Sequence, residues 1–180
     1  YNYYAAINCE KKHEYKKAFD YYSLFSKDNP NSPESLEGMA RISQQSNDIK
    51  NAITFYNRAI SITPKAESLL NLSTCLELFG KEEEAKACLF RAKEISDDIN
   101  VLLIGNNKLA NLLLKEERYL EASEICHEAI EKYKALKDPG SMIIENSNFI
   151  ELTLGAIVEQ ISLKKNTPYE KDEFSQKIAK

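Results

Sequence analysis

The spacing Glu10-x2-His13 recurs as Glu124-x2-His127. A carboxylate and an imidazole three residues apart on a helix form half of a di-iron site, which needs two such pairs and two further glutamates around one core. The two pairs fall three structural units apart in the organisation derived below, roughly 30 Å at about 10 Å per packed helix layer, so no metal centre is read here. Cys9, Cys75, Cys88 and Cys126 form no Cys-x2-Cys pair, and two histidines do not complete a zinc pattern. They read as small apolar residues of a reduced, cytoplasmic protein. A glycine-rich phosphate loop, a His-Glu-x2-His helix and a nucleophile elbow are all missing, so the sequence reads as a non-enzyme with no cofactor. What remains is recognition chemistry. The amides of Asn71, Asn107 and Asn111 each offer a donor and an acceptor, the pair of groups that an extended peptide backbone presents in return.

The chain holds 24 Lys and Arg against 28 Asp and Glu, a net charge of -4, which is the wrong sign for a surface that neutralises phosphates. Nucleic acid is excluded as an expected partner. The most apolar stretch, 101–114, is interrupted by Gly105, Asn106, Asn107, Lys108 and Asn111, and falls short of the roughly 18 apolar residues of a membrane span. No direct membrane insertion is expected. The chain opens on Tyr1 without a charged segment followed by an apolar core, and so reads as an excised piece carrying no targeting signal.

The residues are positioned by a repeat. Laying 14–30 over 48–64 places Ala18 on Ala52, Tyr22 on Tyr56, Phe25 on Ala59 and Pro30 on Pro64, each at an offset of 34. The frame continues at Ala85, Leu89 and Ala92 after 33 residues, and at Ala122, Cys126 and Ala129 after a further 37. Upstream of each such run stands a second apolar stretch with helical spacing, built on Ala6, Ala40, Ser73 and Ala110. Each unit is therefore a pair of helices, and small side chains at these positions let the two approach. Ser32-Pro33 and Thr63-Pro64 read as N-cap plus first-turn proline, and Gly80 as the break inside the third pair.

This arrangement resembles the tetratricopeptide repeat, a helix-turn-helix unit of about 34 residues with the pattern W-x2-L-G-x2-Y, A-x3-F, P. The second unit carries it best: Leu36-x2-Met39-Ala40-x2-Ser43-x8-Ala52-x3-Tyr56-x2-Ala59-x4-Pro64. The first has Asn2 in place of Trp, and the third and fourth have Asp97 and Lys134 in place of the closing proline. The resemblance implies an all-α, right-handed superhelical solenoid with four repeats over 1–137 (about 1–31, 32–64, 65–100 and 101–137). Residues 138–180 would then be capping helices or a degenerate fifth repeat. Asp138-Pro139-Gly140 reads as a stop, 141–165 as a helix with an apolar stripe from Ile143 to Leu163, and Thr167-Pro168-Tyr169-Glu170 as a capping box opening one more helix.

The family's first helices line a groove that takes a peptide or a partner helix. Carried onto this sequence, the groove positions are Tyr3, Tyr4, Ile7 and Glu10; Glu37, Arg41 and Gln44; Leu70, Asn71, Thr74 and Glu77; and Asn107, Lys108, Asn111 and Lys115. Tyr3, Ile7, Arg41, Asn71, Thr74, Asn107, Lys108 and Asn111 are the expected contact residues. The carboxylate clamp of the chaperone-binding branch is not expected, because Glu37 stands where converging donors are needed. The alternative reading is a scaffold that assembles into a complex or a homo-oligomer, the latter through the tyrosine-rich first unit with Tyr1, Tyr3, Tyr4, Tyr15, Tyr21 and Tyr22.

Overall fold

The computed structural model describes residues 1–136 and 141–165. Every regular element among them is a helix: α1 (Asn2–Lys11), α2 (Tyr15–Asp28), α3 (Pro33–Gln45), α4 (Ile49–Ile62), α5 (Ala66–Leu78), α6 (Glu82–Ile95), α7 (Ile99–Lys115), α8 (Tyr119–Lys134) and α9 (Ser141–Lys165). They divide into two compact units, Tyr1–Asp97 with α1 to α6 and Asp98–Lys180 with α7 to α9. In the first unit each helix packs on the next in sequence through α4 to α5 and α5 to α6. In the second, α7 packs on α8 and α9 packs on both.

The recurring small residues hold the pairs together. Ala6, Ala18, Ala40, Ala52, Ala85, Ala110 and Ala122 are fully buried, and so are the large residues four beyond the second set: Tyr22, Tyr56, Leu89 and Cys126. Burying a side chain of the larger kind contributes about 1.5–3 kcal/mol. Close approach is tightest at Gly38, where a Cβ would lie 2.5 Å from two ring atoms of Tyr22. The aromatic ring of one pair thus rests on the bare backbone of the next.

The turn inside each pair repeats as faithfully as the alanines. His13, Asn47, Gly80 and Glu117 all have positive φ, between 59° and 79°. The residue after each donates its backbone N–H to the carbonyl five residues back: Glu14 to Cys9, Asp48 to Ser43, Lys81 to Leu76 and Arg118 to Leu113. This is the Schellman closure, which satisfies orphan carbonyls and favours glycine at the left-handed position. Only Gly80 announces itself in the sequence.

Two readings need correction. Ser32 is the N-cap residue of α3 with Pro33 in its first turn, as expected, but its hydroxyl donates to the Glu34 carboxylate and accepts from no helix amide. Thr63 does not cap α5; its N–H donates to Ala59 and closes α4, Pro64 blocks further helix, and extended Lys65 precedes Ala66. In α9, Ile150, Ile157 and Ile161 are buried as the stripe requires, whereas Leu163 is exposed. The stop at 138–140 and the capping box at 167–170 lie outside the described residues.

Candidate binding surface

The odd-numbered helices carry all eight expected contact residues, which the structure places in two separate groups. In the first unit, Tyr3 and Ile7 are half-buried on α1. Tyr3 stacks edge-on or tilted against Tyr4, Tyr22 and Phe25 with ring centroids 5.4–6.0 Å apart, and both residues pack on the core around Ala6, Tyr22 and Met39. Arg41 on α3 reaches back to α1: its Nε donates to Glu10 Oε1 at 2.9 Å and its Nη2 to Glu10 Oε2 at 3.0 Å. Tyr22 Oη donates to the same carboxylate at 2.7 Å.

The electrostatics of this cluster follow from its partners. Burial works against ionising Glu10, yet the hydrogen bonds from Arg41 and Tyr22 and the guanidinium charge outweigh it and hold the carboxyl below 4.5. Burial and then the Glu10 carboxylate push the Tyr22 hydroxyl far above the usual phenol range. A two-point guanidinium–carboxylate fork is directional as well as charged. The same device appears one pair along, where Ser68 Oγ donates to Glu37 Oε1 at 2.7 Å and Lys65 Nζ to Glu37 Oε2 at 3.2 Å, with Glu34 3.6 Å from Lys65. Both bridges join sequence positions 31 apart, one helix pair apart in the repeat: 10 to 41 and 37 to 68. Acid and base in the expected groove are therefore largely spent on each other. Asn71 is exposed on α5, and Thr74, half-buried, donates to the Leu70 carbonyl at 3.1 Å.

In the second unit Asn107 and Lys108 are half-buried and Asn111 is exposed on α7. Asn107 Oδ1 accepts from Thr153 of α9 at 2.5 Å and from Asn111 Nδ2 at 3.3 Å, while that same Nδ2 donates to the Asn107 carbonyl at 2.8 Å. Asn100 accepts from Asn146 of α9 at 3.1 Å. One asparagine that sequence reasoning did not single out is the most buried. Asn106 donates to the Ile125 carbonyl at 2.9 Å and lies 3.4 Å from Glu128, with its own Oδ1 buried and unpaired. A position one residue before the exposed face of an apolar helix was the available signal.

The Glu-x2-His pairs separate at once. α1 ends at Lys11, so His13 stands in the left-handed turn with its Nδ1 2.9 Å from Tyr15 Oη, and Glu10 belongs to Arg41. His127 Nδ1 lies 2.8 Å from the Ser123 carbonyl on its own helix. Among the described residues no group of three or more His, Cys, Asp or Glu could hold a metal ion, and no helix is long and apolar enough to cross a membrane. Burial pushes the Cys126 thiol up to about 12 and raises that of Cys88.

Residues 33–65, one complete helix pair from α3 to the end of α4, match the tetratricopeptide repeat family. That stretch is one tetratricopeptide repeat. No curated protein matches the chain in sequence. Among solved structures, a crystal structure of MamA is 16% identical, covers 90% of this chain and 97% of its own, and superposes with a TM-score of 0.62. A second crystal structure of the MamA protein is also 16% identical, with 92% and 91% covered and a TM-score of 0.63. At that identity the likeness is one of fold: an all-α solenoid of repeat type.

Proposed function

We propose that this chain is a tetratricopeptide-repeat protein throughout and works as a non-enzymatic interaction module that binds an extended segment of a partner protein along the odd-helix face of its first unit. The observation that carries the reading is the orientation of Arg41. Its Nε and Nη2 are committed to Glu10, so the fork is held in one pose, while the side chain stays 42% exposed. The two Nη1 hydrogens are then preorganised donors for a partner carbonyl or carboxylate, and a preorganised donor loses little entropy on binding. Asn71 supplies an exposed donor–acceptor pair on the neighbouring odd helix, with Thr74 one turn on, and Tyr3 and Ile7 provide an apolar seat at the other end. On the second unit, Lys108 and Asn111 form a further polar face in which Asn107 is a positioning residue, since its side-chain oxygen already accepts from Thr153.

Selection of unstructured peptides displayed on phage, followed by calorimetry, tests the reading. Arg41→Lys and Asn71→Ala are each expected to weaken the selected peptides about fivefold to tenfold, near 1–1.4 kcal/mol. Asn57→Ala, on the exposed side of α4, should change nothing. Equal affinities across all of these proteins would overturn it. A second reading, assembly through the N-terminal face, is favoured by Tyr4, which is 73% exposed beside the packed Tyr3. Sedimentation over a concentration series should then show a dimer that Tyr4→Glu abolishes.

A further inference from the structure

Four serines are buried among the described residues, and three of them have their hydroxyls bonded. Ser35 Oγ donates to the Ser32 carbonyl at 3.1 Å, Ser68 Oγ to Glu37 at 2.7 Å and Ser73 Oγ to the Leu70 carbonyl at 2.7 Å. Ser43 is 6% exposed, and its hydroxyl has no partner among the described residues. It stands instead on the floor of a cavity of about 290 Å³ between α2 and α3, with Ile42 beside it and Tyr15 and Phe19 on the wall. The Phe19 ring is held there by edge contact with Phe55, centroids 5.9 Å apart. Asp20 and Lys16 of α2, Ser46 at the end of α3 and Asp48 at the start of α4 form an exposed rim. At about 100° per residue, Ile42, Ser43 and Ser46 lie on the side of α3 opposite to Glu37, Arg41 and Gln44. The cavity is therefore separate from the odd-helix face.

The cavity also interrupts the repeat. The frame that lays Ala40 on Ser73 lays Ser43 on Leu76, Ser46 on Phe79 and Asp48 on Lys81. The frame that lays Ala18 on Ala52 lays Asp20 on Thr54. Where the first two pairs meet, small hydroxyls stand in place of two large apolar side chains, and carboxylates in place of an ammonium and a hydroxyl. Room and negative charge arise at the same spot. Neither carboxylate is matched by a cation: Asp48 accepts from the backbone N–H and Nδ2 of Asn51, both neutral, and Asp20 has no ion pair or hydrogen bond among the described residues.

We propose that this cavity receives an arginine side chain of a partner protein, at a site independent of the odd-helix face. The methylene stem of the arginine lies on Ile42, and its flat guanidinium stacks on the aromatic wall, a contact that lysine does not reproduce. Its N–H groups donate to the Ser43 hydroxyl within and to the Asp20 and Asp48 carboxylates at the mouth. Lys16 is the cation of the rim, and two carboxylates against it leave a net charge of -1 among the lining residues. Size and shape select a tethered group over a free ligand. The volume falls at the bottom of the roughly 300–1,000 Å³ of small-molecule sites, which bury about 70–90% of their ligand. Here half of the lining residues are exposed, so the mouth is open to a chain lying outside.

The test titrates N-acetyl-arginine N-methylamide into the full chain and follows amide and methyl chemical shifts. Saturable shifts are expected at Phe19, Ile42, Ser43 and Ser46, with a Kd of about 1 mM, while α5 stays unperturbed. The capped norleucine analogue, which has an apolar stem and no charge, should bind at least about tenfold more weakly. Asp20→Asn with Asp48→Asn keeps a capping side chain on α4 and should weaken the arginine probe by about the same factor. Lys16→Gln should tighten it about twofold to threefold. Ser46→Phe, which installs the residue of the following pair, should abolish binding with the thermal midpoint unchanged. Absence of saturable shifts, equal affinity for the norleucine probe, or indifference to the aspartate double variant would overturn the proposal. So would agmatine bound tenfold more tightly than the capped arginine, which would show a site for a free small cation.

Discussion

Replacing Gly38 by alanine tests whether the contact between successive pairs is as close as the structure makes it. The new methyl would stand 2.5, 2.5 and 2.7 Å from Tyr22 Cε2, Cζ and Cε1, where carbon atoms attract best at about 3.5–4.0 Å. The ring must retreat by about 1 Å. It has no free direction, because Tyr22 is wholly buried and its hydroxyl is tied to Glu10 at 2.7 Å and lies 3.4 Å from Arg41. Overpacking of this kind costs about 1–3 kcal/mol. Alanine in a helix interior returns about 0.5–1 kcal/mol relative to glycine. The net expectation is a loss of about 1–2 kcal/mol, read as a lower urea midpoint by far-ultraviolet circular dichroism. In a Tyr22→Leu background the clash is gone, and the same Gly38→Ala change should stabilise by about 0.5–1 kcal/mol. A Gly38→Ala protein with a raised midpoint in the wild-type background would refute the reasoning, since only the propensity gain would then be felt.

Three further outcomes follow from the same structure. Glu117→Gly should stabilise by about 0.5–1 kcal/mol by relieving a left-handed non-glycine residue, seen as a higher thermal midpoint, while Gly80→Ala should lower it. The folded Glu10 carboxyl sits below its ordinary 4.5, so its contribution is present above that pH and is lost as pH falls through the lowered folded value. Stability measured by urea titration should therefore drop on acidification, and Glu10→Gln should remove that part of the drop. Cys75 and Cys126 are buried, and Cys126 has its thiol pushed up to about 12. Both should resist maleimide at neutral pH in the native protein and label on unfolding.

The helix pairs were legible because the alanine spacing is a packing requirement, and a requirement of close approach admits few residue types. Ala18, Ala52, Ala85 and Ala122 could be aligned by eye and all prove to be buried. The turns were legible only at Gly80, because a backbone held by its own hydrogen bonds tolerates His13, Asn47 and Glu117 at the same left-handed position. The candidate binding face was the least legible. The resemblance put Glu10, Glu37 and Arg41 on the first helices of their pairs, but whether a charge faces outward or a neighbouring repeat depends on distances of a few ångström between segments 31 residues apart. Asn107 has the same history, with α9 as the neighbour that takes its oxygen.

The bridges between odd helices have a consequence for how the first unit comes apart. In a linear array each pair touches only its neighbours, so an end pair is free to peel away whenever its own stability is low. Glu10 ties α1 to α3, and Glu37 ties α3 to α5. Unwinding α1 alone would strand Tyr22 of α2 and Arg41 of α3 beside a missing carboxylate, a penalty that reaches the second pair although only the first helix has melted. The array is thereby converted from a row of independent segments into one that opens as a block, and amides of α1 should exchange at rates approaching those of α3 instead of fraying ahead of them.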